Sequence, residues 1–188
     1  MGTPYERAFD LTGLDPQLAD YFTSGRSGRG EGVFDLVGSP RRWLWPVLWV
    51  LGRQGVVFPY WGSAPFTVTN RPVDAALTAT RTFHFPSGDR SMIDLMSVVG
   101  GELYDELGIN RRYRARLTGT VVDGALQLTS TALSMRLGRS HLPLPARVTV
   151  MERWDAASSR QHVSVVITAP VIGRVYEYSG YFTYGVLQ

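Results

Sequence analysis

The chain has 188 residues, 44% apolar and 19% charged, a balance that points to one folded domain with a real core and argues against disorder. It contains no cysteine, which excludes disulfide scaffolds, thiolate zinc sites and thiol nucleophiles. The net charge of +3 rests on 19 basic residues, all of them arginine; they are scattered, with doublets only at Arg41-Arg42 and Arg111-Arg112, so no nucleic-acid partner is expected.

The N-terminal segment reads as helical. Tyr5, Phe9, Leu18, Tyr21 and Phe22 form an apolar stripe broken near Gly13 and Pro16. Asp15-Pro16 supplies an N-cap and first position for a second short helix. Five acidic residues before Gly32 and the lack of an apolar stretch give no secretory signal. Ser24 to Gly32 (SGRSGRGEG) reads as a flexible polar loop, followed by the short apolar segment VFDLVG. Ser39-Pro40 offers the start of a helix over RRWLWPVLWVLGRQG, with Pro46 kinking it. Its apolar core, Trp43 to Leu51, falls short of the about 20 residues that a bilayer span needs. A cytoplasmic protein without membrane contact is the expectation.

From residue 65 the pattern changes to alternation. Phe66–Arg71, Ala76–Phe85, Ser91–Val99, Glu102–Leu107, Tyr113–Val122, Ala125–Leu137, Ala146–Trp154, His162–Ala169 and Arg174–Tyr184 read as strands. Asp123-Gly124 marks a tight hairpin, and LPLP (Leu142 to Pro145) interrupts the series. Eight to ten strands with short connections and no helix between them predict a mainly β fold. The expected form is an antiparallel β-barrel or strongly curved sheet, lipocalin-like in outline, with N-terminal helices capping one end. The expected division is a helical cap and loop over 1–64 and a barrel over 65–188, in a single domain. A helix-grip fold is the alternative, disfavoured because no long C-terminal helix is visible.

Three strands place polar groups on apolar faces. Arg81 shares a side with Leu77, Ala79, Phe83 and Phe85, and Glu152 shares one with Val148, Val150 and Trp154. The last strand sets Tyr176, Tyr178, Phe182 and Tyr184 on one side, with a gap at Gly180. An inward Arg and Glu are costly unless paired or wetted. A buried Arg81–Glu152 ion pair is the plainer reading. The functional reading makes Glu152 a general base, Arg81 an oxyanion stabiliser and Tyr178 a hydroxyl that orients a ligand carbonyl. One of Asp105 and Glu106 points inward by alternation. His84, His141 and His162 lie far apart, and no metal site or cofactor is expected.

TRTFHF around Arg81, LYDELG with Asp105, VVDGALQL, RSHLPLPARV, Glu152 and the closing APVIGRVYEYSGYF follow one another in an order that resembles the uncharacterised-domain family DUF4166. The likeness covers residues 76–183, with a looser match over the Gly-rich loop and the Trp-rich helix. It implies a common fold and little else. Some members look fused to nucleotide-binding oxidoreductase domains, but this chain has no G-x-G-x-x-G after a strand.

Three function classes follow. One is a cofactor-independent cyclase or isomerase of a secondary metabolite, acting on a hydrophobic molecule held by Trp45, Trp49, Phe83, Trp154, Tyr176 and Phe182. Another is a non-catalytic carrier of such a ligand. The third is an accessory domain of an oxidoreductase partner. The enzyme reading leads the carrier narrowly, and a homodimer is compatible with all three. The Trp-rich helix covers one end of the barrel in the plainest reading, acts as a lid in a second, and in a third makes interfacial membrane contact, favoured by its Trp and the flanking Arg41, Arg42 and Arg53.

Overall fold

A computed structural model describes residues 2–187. It contains helices α1 (Pro4–Ala8), α2 (Ala19–Phe22) and α3 (Trp45–Gly52). It has eleven strands, nine of which match the predicted ones while β1 and β8 were not foreseen: β1 (Gly28–Gly38), β2 (Trp61–Val73), β3 (Ala76–Phe85), β4 (Gly88–Val99), β5 (Glu102–Leu107) and β6 (Tyr113–Val122), then β7 (Ala125–Leu137), β8 (Ser140–Pro143), β9 (Arg147–Asp155), β10 (Arg160–Ala169) and β11 (Gly173–Val186). All neighbours pair antiparallel. Ten strands close into a barrel, in which β1 joins β11 and β6 joins β7. β8 stands outside that circuit and pairs with the far end of β7. Full closure leaves no long unpaired edge around the wall.

The predicted hairpin turn is present: Asp123 and Gly124 both take positive φ, 50° and 78°, as a tight turn matching the strand twist demands. Asp15 accepts a hydrogen bond from the Gln17 amide at 2.9 Å and starts a single 3₁₀ turn before α2. The Trp-rich segment is shorter as a helix than predicted. Residues 42–44 form a 3₁₀ turn and α3 begins at Trp45. Pro46 lacks an amide hydrogen, so it falls in the first turn of a new helix rather than inside a longer one.

The boundary at residue 65 needs correction. The segment predicted as a flexible loop (24–32) supplies the first five residues of β1, which lies between β2 and β11 in the barrel wall. Gly28, Gly30 and Gly32 are what the large residues of β11 require. A Cβ on Gly28 would overlap the Tyr184 ring, and one on Gly32 would overlap the Tyr181 carbonyl oxygen. Gly180 answers from the other side, where a Cβ would strike the Val33 carbonyl. Glycine here encodes close approach rather than a turn. Gly32→Ala is expected to lower stability by about 1–3 kcal/mol or more, because backbone cannot yield as a side chain does. Gly185→Ala, with open space at its Cβ, should leave the denaturant midpoint nearly unchanged.

The barrel interior has two unlike halves. Behind β1, β2, β3 and β11 it is filled by aromatics. Phe34 stacks on Phe66 at 3.7 Å between centroids and on Phe83 at 5.4 Å, and Tyr178 meets Phe34 edge-on at 5.0 Å. The opposite half is lined by smaller aliphatic groups and methionines. α1 and α2 cap one end, as predicted: Asp15 bonds the Gly124 carbonyl, Arg7 reaches the Ala75 carbonyl, and Tyr21 packs on Tyr184. α3 and the chain after it cover the other end, where Gly55 accepts from the Ile93 amide and Phe58 packs on Phe85.

Candidate functional site

A cavity of about 80 Å³ occupies the aliphatic half. One water needs about 10–15 Å³ on such a measure, so the space exceeds a packing defect. Val148, Val150, Val163, Val165 and Ile167 of β9 and β10 form one wall, and Met92 and Met96 of β4 face them. Tyr5 of α1 bounds the cavity from one end, its hydroxyl 2.8 Å from the Met96 sulfur. Val56 and Val57, just beyond α3, close the other.

Into this apolar space the strands bring four ionisable side chains. Strand alternation places Arg81 inward on β3, Asp94 on β4, Asp105 on β5 and Glu152 on β9. The partner of Arg81 is Asp94, one strand away, and not Glu152. Burial works against the Arg81 charge, but Asp94 beside it holds the guanidinium protonated more firmly than usual. Glu152 instead receives a hydrogen bond from the Gln161 side chain on β10. Burial pushes its pKa up to about 7, against the opposing pull of Arg81 and Gln161. Burial also lifts Asp105 well above the carboxylate range, helped by the negative charge of Asp94 and Glu106. Asp94 Oδ1 and Asp105 Oδ1 are both buried and make no hydrogen bond to any described group. Tyr178 lines the cavity, and burial pushes its hydroxyl up to about 12, so it stays a proton donor.

The predicted catalytic residues Arg81, Glu152 and Tyr178 therefore share one cavity. The predicted ligand-binding aromatics do not line it. Phe83 and Phe182 belong to the aromatic half, where neighbouring rings consume their faces. Tyr176 is fully buried, with its hydroxyl left without a hydrogen bond. Trp154 packs half-buried against the core outside the cavity wall, as does Trp45, while Trp49 is 55% exposed. Residue type alone cannot say which aromatics find each other first. Asp94 and Tyr5 were missed. The signal for Asp94 was available, since Met92, Asp94 and Met96 alternate in the same way that exposed Arg81. Glu106 points outward, 3.8 Å from Arg114. Among the described residues no cluster of three metal-ligating side chains forms.

Residues 14–182 match the family model described as "Domain of unknown function (DUF4166)". The chain belongs to the DUF4166 family. The match spans β1 and most of β11 as well as the strands between them, so nearly all of the barrel wall and every cavity-lining residue except Tyr5 lie within the matched segment. Neither a curated protein nor a solved structure matched the chain. For this DUF4166 barrel, function must be argued from the cavity itself.

Proposed function

We propose that this DUF4166 barrel binds a small hydrophobic molecule carrying a carbonyl or enol group, and isomerises or cyclises it without a cofactor. The observation that carries the proposal is the pair of partnerless carboxyl oxygens, Asp94 Oδ1 and Asp105 Oδ1, on the wall of an otherwise apolar cavity. Buried polar atoms are nearly always satisfied; an enol or hydroxyl of a guest would donate to Asp94 Oδ1, and a guest carbonyl would accept from protonated Asp105. Glu152, titrating near 7, suits proton transfer at neutral pH. As a carboxylate it would take a proton from carbon next to the substrate carbonyl. The oxygen that gains charge would accept from Arg81 and from protonated Asp105. Return of the proton from Glu152 to a different carbon gives an isomer. Attack of the enolate carbon on a second carbonyl of the same molecule gives a ring. The size of the cavity favours a compact substrate, or the reacting end of a longer one.

The carrier reading shares the cavity and differs in outcome. Native mass spectrometry of the purified protein is expected to show a retained small molecule. Incubating that molecule with fresh protein in D2O should incorporate deuterium at carbon, and Glu152→Gln should stop this while keeping binding within about tenfold, or 1.4 kcal/mol. Return of the molecule unlabelled by the parent protein makes the barrel a carrier. An accessory domain needs no hollow interior and would co-purify with a protein instead.

A further inference from the structure

Folding sorts the scattered arginines. The connections at the α3 end of the barrel are residues 39–60, 86–87, 108–112, 138–146 (with β8 inside them) and 170–172. They contain Arg41, Arg42, Arg53, Arg111, Arg112 and Arg139, all exposed, and no Asp or Glu. The described connections and N-terminal segment at the opposite end hold Glu6, Asp10, Asp15, Asp20, Asp74 and Asp123, against only Arg7 and Arg26. Both arginine doublets thus fall at one end. Just inside the strands there, Asp89 is held by His84, Glu106 lies 3.8 Å from Arg114 and Glu177 is held by Arg174, while Asp35 of β1 is exposed and makes no ion pair among the described residues.

The same end carries exposed apolar side chains. Trp43 is 63% exposed, Trp49 55% and Ile109 63%; Val47 and Val50 of α3 are also exposed, and Val171 projects fully at the tip of the β10–β11 turn. The 3₁₀ turn before α3 turns Leu44 fully inward and α3 itself only Leu48, so the outer face of α3 has no partner in the fold. These segments are tied into one rim. Arg41 bonds the Ile172 carbonyl, the Ile109 amide bonds the Gln54 carbonyl, and Arg136 bonds the Asn110 carbonyl. The Arg53 guanidinium lies 4.7 Å from the Trp49 ring centre, which sets cation and indole at one level.

We propose that this end of the barrel docks on an anionic phospholipid surface. Projecting Trp, Val and Ile side chains gain from the boundary between headgroups and acyl chains, and a surrounding arginine ring without carboxylates gains from acidic headgroups. A polyanion such as nucleic acid would use the arginines but leave the projecting valines and Ile109 without a role. Such docking takes up the least favoured of the three sequence readings of the Trp-rich helix, interfacial membrane contact. No helix among the described residues is long and apolar enough to cross a membrane, so the contact is peripheral. It stands independently of the proposed chemistry, although it would set the Val56–Val57 closure of the cavity towards the lipid.

The test is sedimentation of the whole protein with vesicles of phosphatidylcholine, with and without phosphatidylserine. Binding is expected only with phosphatidylserine, weakening as salt rises. The Trp43→Ser/Trp49→Ser double variant should lower partitioning about tenfold or more. Arg111→Gln/Arg112→Gln should lower it about tenfold, and Val73→Ser/Val99→Ser at the opposite end should leave it unchanged. Brominated lipid in the same vesicles should quench tryptophan fluorescence of the parent protein, a readout that needs no variant. No binding to phosphatidylserine vesicles, or equal binding by the tryptophan variant, overturns the proposal. So does retention on heparin by a protein that ignores vesicles.

Discussion

Replacing Arg81 with methionine is expected to destabilise the barrel by about 3–5 kcal/mol, because it leaves the Asp94 carboxylate buried without its counter-ion. At about 2–4 °C per kcal/mol for a chain of this size, melting should fall by about 10 °C. Asp94 is 2% exposed and cannot turn to solvent. The double variant Arg81→Met/Asp94→Leu removes both charges and should recover most of the loss, since buried pairs often break even against apolar side chains of similar volume. Thermal melts of the two variants decide the matter. If Arg81→Met alone melts like the parent, Asp94 does not depend on the guanidinium. The experiment also separates structural from chemical roles: a double variant that folds fully yet turns over no substrate would show that the pair serves the chemistry as well.

The second large effect is a pH dependence that runs opposite to the usual acid lability. Glu152 titrates near 7 in the folded protein, against an ordinary 4.5. Folding therefore binds a proton between these values. Stability is greatest below pH 4.5 as far as this group is concerned, falls as pH rises to 7, and levels off above it. The span corresponds to about 3 kcal/mol. Asp105, also raised by burial, adds in the same direction. His162, lowered chiefly by burial, opposes it, but its side chain is partly exposed and its share is small. Melting temperature should thus drop between pH 5.5 and pH 8 in the parent. Glu152→Gln should flatten the slope and melt higher than the parent at pH 8. A slope of equal size in the variant would remove Glu152 as its source.

Alternation made the strands from β3 onwards legible, and with them the inward parity of Arg81, Glu152 and the β11 tyrosines. Parity says which way a side chain points but not whom it meets. Hairpin register sets Asp94 beside Arg81 across β3 and β4, and Gln161 beside Glu152 across β9 and β10. It also packs Phe34, Phe66 and Phe83 into a solid half that excludes a guest. β1 was unreadable because three of its inward positions are glycines, whose meaning lies in the bulk of Tyr184, Phe182 and the Tyr181 carbonyl nearly the whole chain away. The arginine rim was hidden for the same reason: residues 41, 53, 111 and 139 share an end only when strands of similar length alternate in direction.

Pairing of β1 with β11 sets a timing problem. Gly28 lies opposite Val186, so the wall can shut only after the last strand has been synthesised. Until then β1 has one waiting edge, and non-local pairings of this kind form slowly. A waiting edge rich in Val or Ile would recruit other nascent chains. The first half of β1 alternates Gly28, Gly30 and Gly32 with Arg29 and Glu31, which offers a neighbouring chain little apolar surface. The glycines that admit the β11 rings in the finished barrel thus also keep its seam unattractive to strangers during synthesis.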